Sequence, residues 1–195
     1  MSDKKYSISV LEDYSRLDEV YKLTHDTLVL SGEISPQDNG KIATSPHLDH
    51  HPDTTILIAE QEGKIIGTIT VTLDGDQGLN MEKWFEEELA FYRNTYSCRL
   101  GSSWRLATDP SYRGKTRLII DLYSKACKLL IEAGCGLCLC ALMNRHTKTY
   151  QRLMDAKVVT TKTIKPFSKD IPMEISLMKI NIELGLDRFK QLQVA

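Results

Sequence analysis

The stretch "CRLGSSWRLATDPSYRGKTRLIIDLYSKACKLLIEAGCGLCLCALM", Cys98 to Met143, decides the fold. Cys98 to Thr108 reads as a β-strand, and "DPSYRGK" from Asp109 to Lys115 as a turn rich in hydrogen-bond donors. In "TRLIIDLYSKACKLLIEAG", Leu118, Leu122, Ala126, Leu129 and Ala133 recur at helical spacing and Gly134 closes the run. "GLCLCALM" then supplies a second strand. Strand, loop, helix and strand in that order make a βαβ crossover, so the two strands are expected to lie parallel. Ligands favour the crevice at the carboxyl ends of such strands.

Outward from this unit the periodicities are equally readable. "YSISVL", Tyr6 to Leu11, is expected as a first strand. From Ser15 to Leu30, the spacing of Leu17, Val20, Tyr21, Thr24 and Leu28 predicts an amphipathic helix, with Ser15 and Asp18 resembling a capping box. "SGEISPQDNGKIATSPHLDHHPD", Ser31 to Asp53, is dense in Gly, Pro, Asn, Asp and Ser and has no period, so it reads as a long loop. Long ordered loops in compact domains are often functional. "TTILIAE" and "KIIGTITVTL" form a hairpin pattern across Gln61 to Gly63. "NMEKWFEEELAFYRN" sets Met81, Trp84, Phe85, Leu89 and Tyr92 on one helical face, with Asn80 placed to cap it. Downstream, "NRHTKTYQRLMDA" is expected as a short helix, "KVVTTKTI" and "MEISLMKINI" as strands, and "LDRFKQLQ" as a terminal helical turn.

A chain of 195 residues fits one domain, and 42% hydrophobic with 26% charged residues is ordinary globular composition. The net charge of -1, from 25 basic and 26 acidic residues, gives no reason to expect a nucleic-acid partner. "MSDKKYSISV" lacks the apolar core of a signal peptide, and no apolar run is long enough for a membrane span. The expected location is the cytoplasm. Five cysteines, an odd number, fit reduced thiols better than a disulfide framework.

Two readings are open for "DPSYRGKTRL". Backbone N-H groups of a turn entering a helix, with Arg113, Lys115 and Arg117 beside them, suit a pyrophosphate or phosphodiester. Alternatively it is a solvated basic turn.

The order of helix, hairpin, "WRLATDPSYRG", long helix, strand and "YQRL" resembles the GNAT acyltransferase superfamily over Tyr6 to Ile182. Within it, "GLNMEKWFEEEL", "WRLATDPSYRG", "RHTKTYQRLM" and "KPFSKDIPMEISLMKI" are similar, in the same order, to segments of the N-acyl amino acid synthases, relatives of the acyl-homoserine-lactone synthases. The resemblance implies a single α/β domain over 1-195, with a mixed, mostly antiparallel sheet, a parallel central strand pair and helices on both faces. It implies an N-acyltransferase moving an acyl group from an acyl carrier protein or acyl-CoA thioester to a small amine, an amino acid among them.

The same resemblance assigns residues. Arg113, Gly114, Lys115, Thr116, Arg117 and Leu118 correspond to the loop that holds the carrier's phosphate, with Arg113 on pattern and Thr116 and Leu118 where Gly and Gly or Ala are usual. The strand would bind the pantetheine arm, and an amide near Leu106 or Ala107 would steady the oxyanion. Tyr150 occupies the position of the tyrosine acid, although it shares a helical face with Leu153 and Met154 and would equally serve packing. His146, one turn earlier, would orient Tyr150 or act as base, or is a surface histidine. Arg105 binds a substrate carboxylate or pairs with a structural acid. Ser102 stands where the subfamily often has a carboxylate. An alternative without turnover is a non-catalytic acyl-thioester binding module.

Three conspicuous clusters receive other readings. "HLDHHPD" offers His47, Asp49, His50, His51 and Asp53, but the spacing matches no zinc pattern, so no metal is expected and a substrate-side loop or solvated turn is preferred. Glu86, Glu87 and Glu88 read as a solvated helical face. Cys135 and Cys138 are expected on opposite sides of a strand, with Cys138 and Cys140 sharing a side, as small apolar core residues.

Overall fold

Seven strands and five helices follow one another in the computed structural model, which describes residues 6–112, 115–165 and 172–194. In chain order they are β1 (Ser7–Val10), α1 (Leu17–Leu30), β2 (Thr54–Gln61), β3 (Lys64–Leu73), α2 (Glu82–Thr95) and β4 (Arg99–Thr108), then α3 (Thr116–Glu132), β5 (Cys135–Met143), α4 (Thr147–Met154), β6 (Lys157–Ile164), β7 (Met173–Asn181) and α5 (Ile182–Val194). The strands join in the order β1-β2-β3-β4-β5-β7-β6. β4 and β5 run parallel, while β1 and β2, β5 and β7, and β6 and β7 are antiparallel. The mixed sheet with one parallel pair expected from the sequence is the sheet that forms. Its hairpin turn is Glu62 and Gly63, both at positive φ, the type I′ geometry whose twist matches the strands it joins.

The chain divides into two compact units. The first comprises the residues up to Thr70 together with Arg105–Ala126. Here Leu17, Val20 and Leu23 of α1 pack with Ile56, Ile58, Ile65 and Ala107. Leu118 and Leu122 of α3 lie over Gly67 and Ala59 instead. Neighbouring strand residues face opposite ways, so Ile58 and Ala59 place the two helices on opposite faces of these strands.

The second unit comprises Val71–Trp104 and the residues from Cys127. Met81, Phe85, Leu89 and Tyr92 are buried with Leu100, Leu137, Leu139, Ile175 and Leu177. Each such aliphatic or aromatic side chain contributes about 1.5–3 kcal/mol relative to exposure. On the other face, Leu130 of α3 closes over Gly101, where an added Cβ would lie 2.6 Å from its Cδ2. A side chain there would have to push the Leu130 methyl aside. Gly134 stands at φ +78 after the last turn of α3, the left-handed stop expected of it.

Several local expectations are corrected. Ser15 does not cap α1: the Asp13 carboxylate accepts the Ser15 N–H, and a 3-10 turn, Tyr14–Arg16, leads into the helix. Asn80 does not cap α2 either, which starts from Met81 with the Glu82 carboxylate accepting the N–H of Leu79. The buried stripe of α3 continues from Ala126 to Leu130, leaving Ala133 exposed, because α3 leans on Gly101. The terminal turn is a full helix, and the Leu184 N–H in its first turn donates to the Asn181 side-chain oxygen.

The cysteines show how a bulge defeats alternation. Arg99 pairs with Cys135 but Leu100 with Leu137, so β5 carries one extra residue at its start. Cys135 therefore lies with Leu130 over Gly101, on the side where Cys138 reaches Ser103, rather than opposite Cys138. Burial pushes the Cys135 thiol up to about 11 and those of Cys127 and Cys138 up to about 12. They are neutral, packed thiols at pH 7.

Candidate active site

Arg105 is the least regular residue of β4. Its φ of +52 breaks an otherwise extended strand. An L-residue with a Cβ reaches this conformation at a cost, and it persists only where surrounding contacts hold it. Those contacts are present. Arg105 Nη2 donates to Asp49 Oδ1 at 2.5 Å, with both side chains at 0% exposure. The Tyr21 hydroxyl donates to Asp49 Oδ2 at 2.5 Å, and the guanidinium lies 5.5 Å from the Tyr21 ring centroid. Burial, then the hydrogen bond to Asp49, pushes the Tyr21 phenol well above its usual range. Burial lowers Arg105, and the Asp49 charge opposes that shift.

Asp49 comes from the long loop, which is ordered by its own anchors. His25 Nε2 accepts the Gln37 N–H at 3.0 Å, Ile42 N–H donates to the Tyr21 carbonyl, and Lys41 pairs with Asp18. Leu48 and Asp49 are fully buried, while His47 and His50 are exposed. The "HLDHHPD" side chains diverge: His50 stacks near Tyr14, and His51 turns to the Asp53 N–H. Among the described residues no group of three or more His, Cys, Asp or Glu is placed to hold a metal ion.

Beyond Arg105, Ala107 is buried against α1 and Leu106 is half-buried. The turn that follows is built by Asp109. Its carboxylate accepts the Ser111 N–H and hydroxyl and pairs with Lys64 at 2.6 Å. Those bonds, Lys64 first, hold its acid at about 2. Arg113 and Gly114 lie outside the described residues. The Lys115 N–H donates to the Tyr112 carbonyl, and its ammonium sits 4.8 Å from the Tyr112 ring. Thr116, Arg117 and Leu118 form the first turn of α3, where N–H groups have no carbonyl four residues back. Leu118 turns inward onto Gly67, and Thr116 is exposed. Arg117, half-exposed, donates to the buried carboxylate of Asp121 at 3.3 Å, which also accepts the Tyr6 hydroxyl at 2.8 Å.

The other candidates belong to the second unit. Ser102 is fully buried in the parallel ladder opposite Leu139, its hydroxyl with no partner among the described residues. That ladder ends at Ser102, three residues before the turn of the backbone at Arg105. At the carboxyl end of β5 the chain enters a 3-10 turn, Asn144–His146, and then α4. The Asn144 carbonyl accepts the Thr147 hydroxyl, its side-chain oxygen accepts from Ser176, and its amide donates to Glu174. Thr161 and Ser176 share a hydrogen bond at 2.8 Å. His146 and Tyr150 are half-buried on the turn and helix this network anchors, and Arg145 Nε lies 3.4 Å from His146 Nε2. Glu86 and Glu87 are solvated as expected, whereas Glu88 pairs with Lys162 at 2.8 Å.

Sequence reasoning missed the roles of Tyr21 and Asp121, and it weighed Asp49 as a metal ligand, a substrate-side loop residue or part of a solvated turn, not as the partner of Arg105. For Asp121 a signal existed: it stands three residues after Leu118 and four after Arg117, at the border of an apolar stripe. The left-handed backbone of Arg105 left no trace in residue type.

A family model described as the N-acyl amino acid synthase FeeM matches residues 19–180. The solved structure of FeeM, an N-acyl amino acid synthase from uncultured soil microbes, superposes with a TM-score of 0.76 at 15% identity, covering 97% of this chain and 98% of that one. BjaI, a CoA-dependent acyl-homoserine lactone synthase solved with MTA, gives a TM-score of 0.66 at 14% identity over 95% of this chain and 88% of its own. A crystal structure assigned as a phosphinothricin N-acetyltransferase gives 0.60 at 10% identity over 91% and 98%. These similarities carry the fold. No curated protein sequence matches the chain.

Proposed function

Because the chain belongs to the FeeM N-acyl amino acid synthase family and is an N-acyltransferase, we propose that it joins the acyl group of a carrier thioester to the amino group of an amino acid or similar small amine. The observation that carries this reading is the extent of the family match, residues 19–180, which takes in strand β4 with its bend at Arg105, the basic turn and Tyr150. The donor is an acyl carrier protein or coenzyme A thioester. A phosphodiester or pyrophosphate suits the first turn of α3 with Arg113, Lys115 and Arg117. The inward course of Leu118 supports this, since that side chain does not crowd the outer side of the turn.

In the reaction the amine nitrogen attacks the thioester carbonyl carbon, a C–N bond forms, and negative charge gathers on the carbonyl oxygen. The Leu106 or Ala107 amide is the donor for that charge. When the C–S bond breaks, the thiolate takes a proton from Tyr150, and the proton shed by nitrogen restores the balance. A phenol near ~10 protonating a thiolate near ~8.5 is uphill by about 2 kcal/mol, which positioning can offset. His146 takes the amine proton or orients the phenol, and Ser102 is the substrate-side residue in this reading, while Arg105, its side chain shielded against Asp49, pairs with a structural acid instead of a substrate carboxylate. The chain acts in the cytoplasm as a single domain in this reading.

Ser102 in place of the usual strand carboxylate, together with Thr116 and Leu118 in place of the usual small loop residues, favours one rival, a module that binds the thioester without turning it over. Incubation with acyl carrier protein and coenzyme A thioesters of graded length plus pooled amino acids, followed by mass detection, separates the two. N-acyl products are expected. Donor binding without any product in the whole matrix would establish the binding module.

A further inference from the structure

We propose that Asp49, seated by Tyr21, is a positioning residue for acyl transfer. Through its bond to Arg105 it holds the left-handed bend of β4 and so aims the Leu106 and Ala107 amides. The proposal rests on the oxyanion role given to those amides.

Three observations converge on it. Arg105 is the one described strand residue other than glycine with a positive φ inside a strand, and it immediately precedes the two amides. Its guanidinium and the Asp49 carboxylate are both shut away from solvent, so neither charge is there for solubility. The Asp49 carboxylate is itself fixed from its second oxygen by Tyr21, on a loop where the adjacent Leu48 is fully buried as well. A backbone conformation that an arginine adopts reluctantly is thus tied by its own side chain to a fixed point. Released from that point, residue 105 relaxes toward extended φ, and the amides after it rotate away. A misplacement of about 1 Å in a catalytic group lowers turnover by roughly 100-fold.

The test compares Asp49→Asn, Asp49→Ala, Arg105→Gly and the double variant Asp49→Ala/Arg105→Gly in the full chain. Glycine enters φ +52 without strain, so the double variant removes the anchor together with the need for it. We expect Asp49→Ala to lower kcat by 10- to 100-fold with donor KM unchanged, Asp49→Asn to fall less, and the double variant to recover at least several-fold over Asp49→Ala. A kcat loss no larger than the loss of folded protein, or a double variant no better than the single, overturns the proposal. Amide hydrogen exchange supplies a readout that does not depend on turnover. Asp49→Asn is expected to accelerate exchange at residues 105–108 while β7 stays protected. Unchanged exchange there overturns the proposal even if the wild-type chain transfers no acyl group, a result that would count separately against the acyltransferase reading.

Discussion

Arg105 meets Asp49 where both side chains are fully shielded, whereas Arg93 gathers Asp74 and Glu82 with about a third of its own side chain in solvent. Arg93 makes the more numerous bonds: two to each carboxylate, between 2.6 and 2.8 Å. Counting contacts would rank it as the stronger device, but desolvation reverses the ranking. Removing one member of a buried pair leaves an uncompensated charge, while water takes over the role of a lost surface partner. Replacing a buried pair by apolar residues is often neutral or stabilising. Stability alone therefore does not account for the Arg105 pair, and the positioning role proposed for it would.

Four variants break or sharpen this contrast. Asp49→Ala is expected to destabilise the protein by about 3–5 kcal/mol, read from urea denaturation, because the shielded Arg105 guanidinium loses its carboxylate partner. A change near that of a surface variant would mean that water reaches the guanidinium. Tyr21→Phe removes one donor to the same carboxylate and should cost about 1.5–3 kcal/mol, with Asp49 still paired. Arg93→Met should cost about 1 kcal/mol, and the loss should shrink in high salt, unlike that of Asp49→Ala. Salt-insensitive loss at Arg93 would place it with the buried class.

Asp109→Asn is the mildest and is visible only through pH. Lys64 and Ser111 hold the folded Asp109 at about 2, below the ~3.9 of an unfolded aspartate. A depressed carboxylate contributes stability that is present above the unfolded value and is lost as pH falls through the folded one. The wild-type advantage over Asp109→Asn should thus be constant above pH ~5 and disappear between about 4 and 2. A difference undiminished at pH 2 would mean that the stabilisation is not linked to ionisation.

The same contrast explains what could be read from the chain in advance. The βαβ unit was legible because periodicity reports burial of whole faces: Leu118, Leu122 and Ala126 on α3, and Met81, Phe85 and Leu89 on α2, behave as their spacing implies. Single-residue departures were not. The extra residue at Cys135–Gly136 moved Cys135 across the strand, and the positive φ of Arg105 has no compositional mark. The caps failed for a similar reason, since Asp13 lies before the expected Ser15 and the Glu82 carboxylate bonds back to Leu79. Of the site, Arg105 was anticipated with two alternatives, a substrate carboxylate or a structural acid. Its partner arrived from a loop without periodicity, where sequence gives only composition.

The central claim is that this chain makes an amide at the expense of a thioester. The most direct measurement follows free thiol and N-acyl amine together in one reaction with acyl thioester and amino acid. Amide is expected to appear with one thiol for each molecule, and Tyr150→Phe to lower both rates by roughly 100-fold. Thiol released without matching amide, or a thioester held intact in the presence of every amine, would contradict the account.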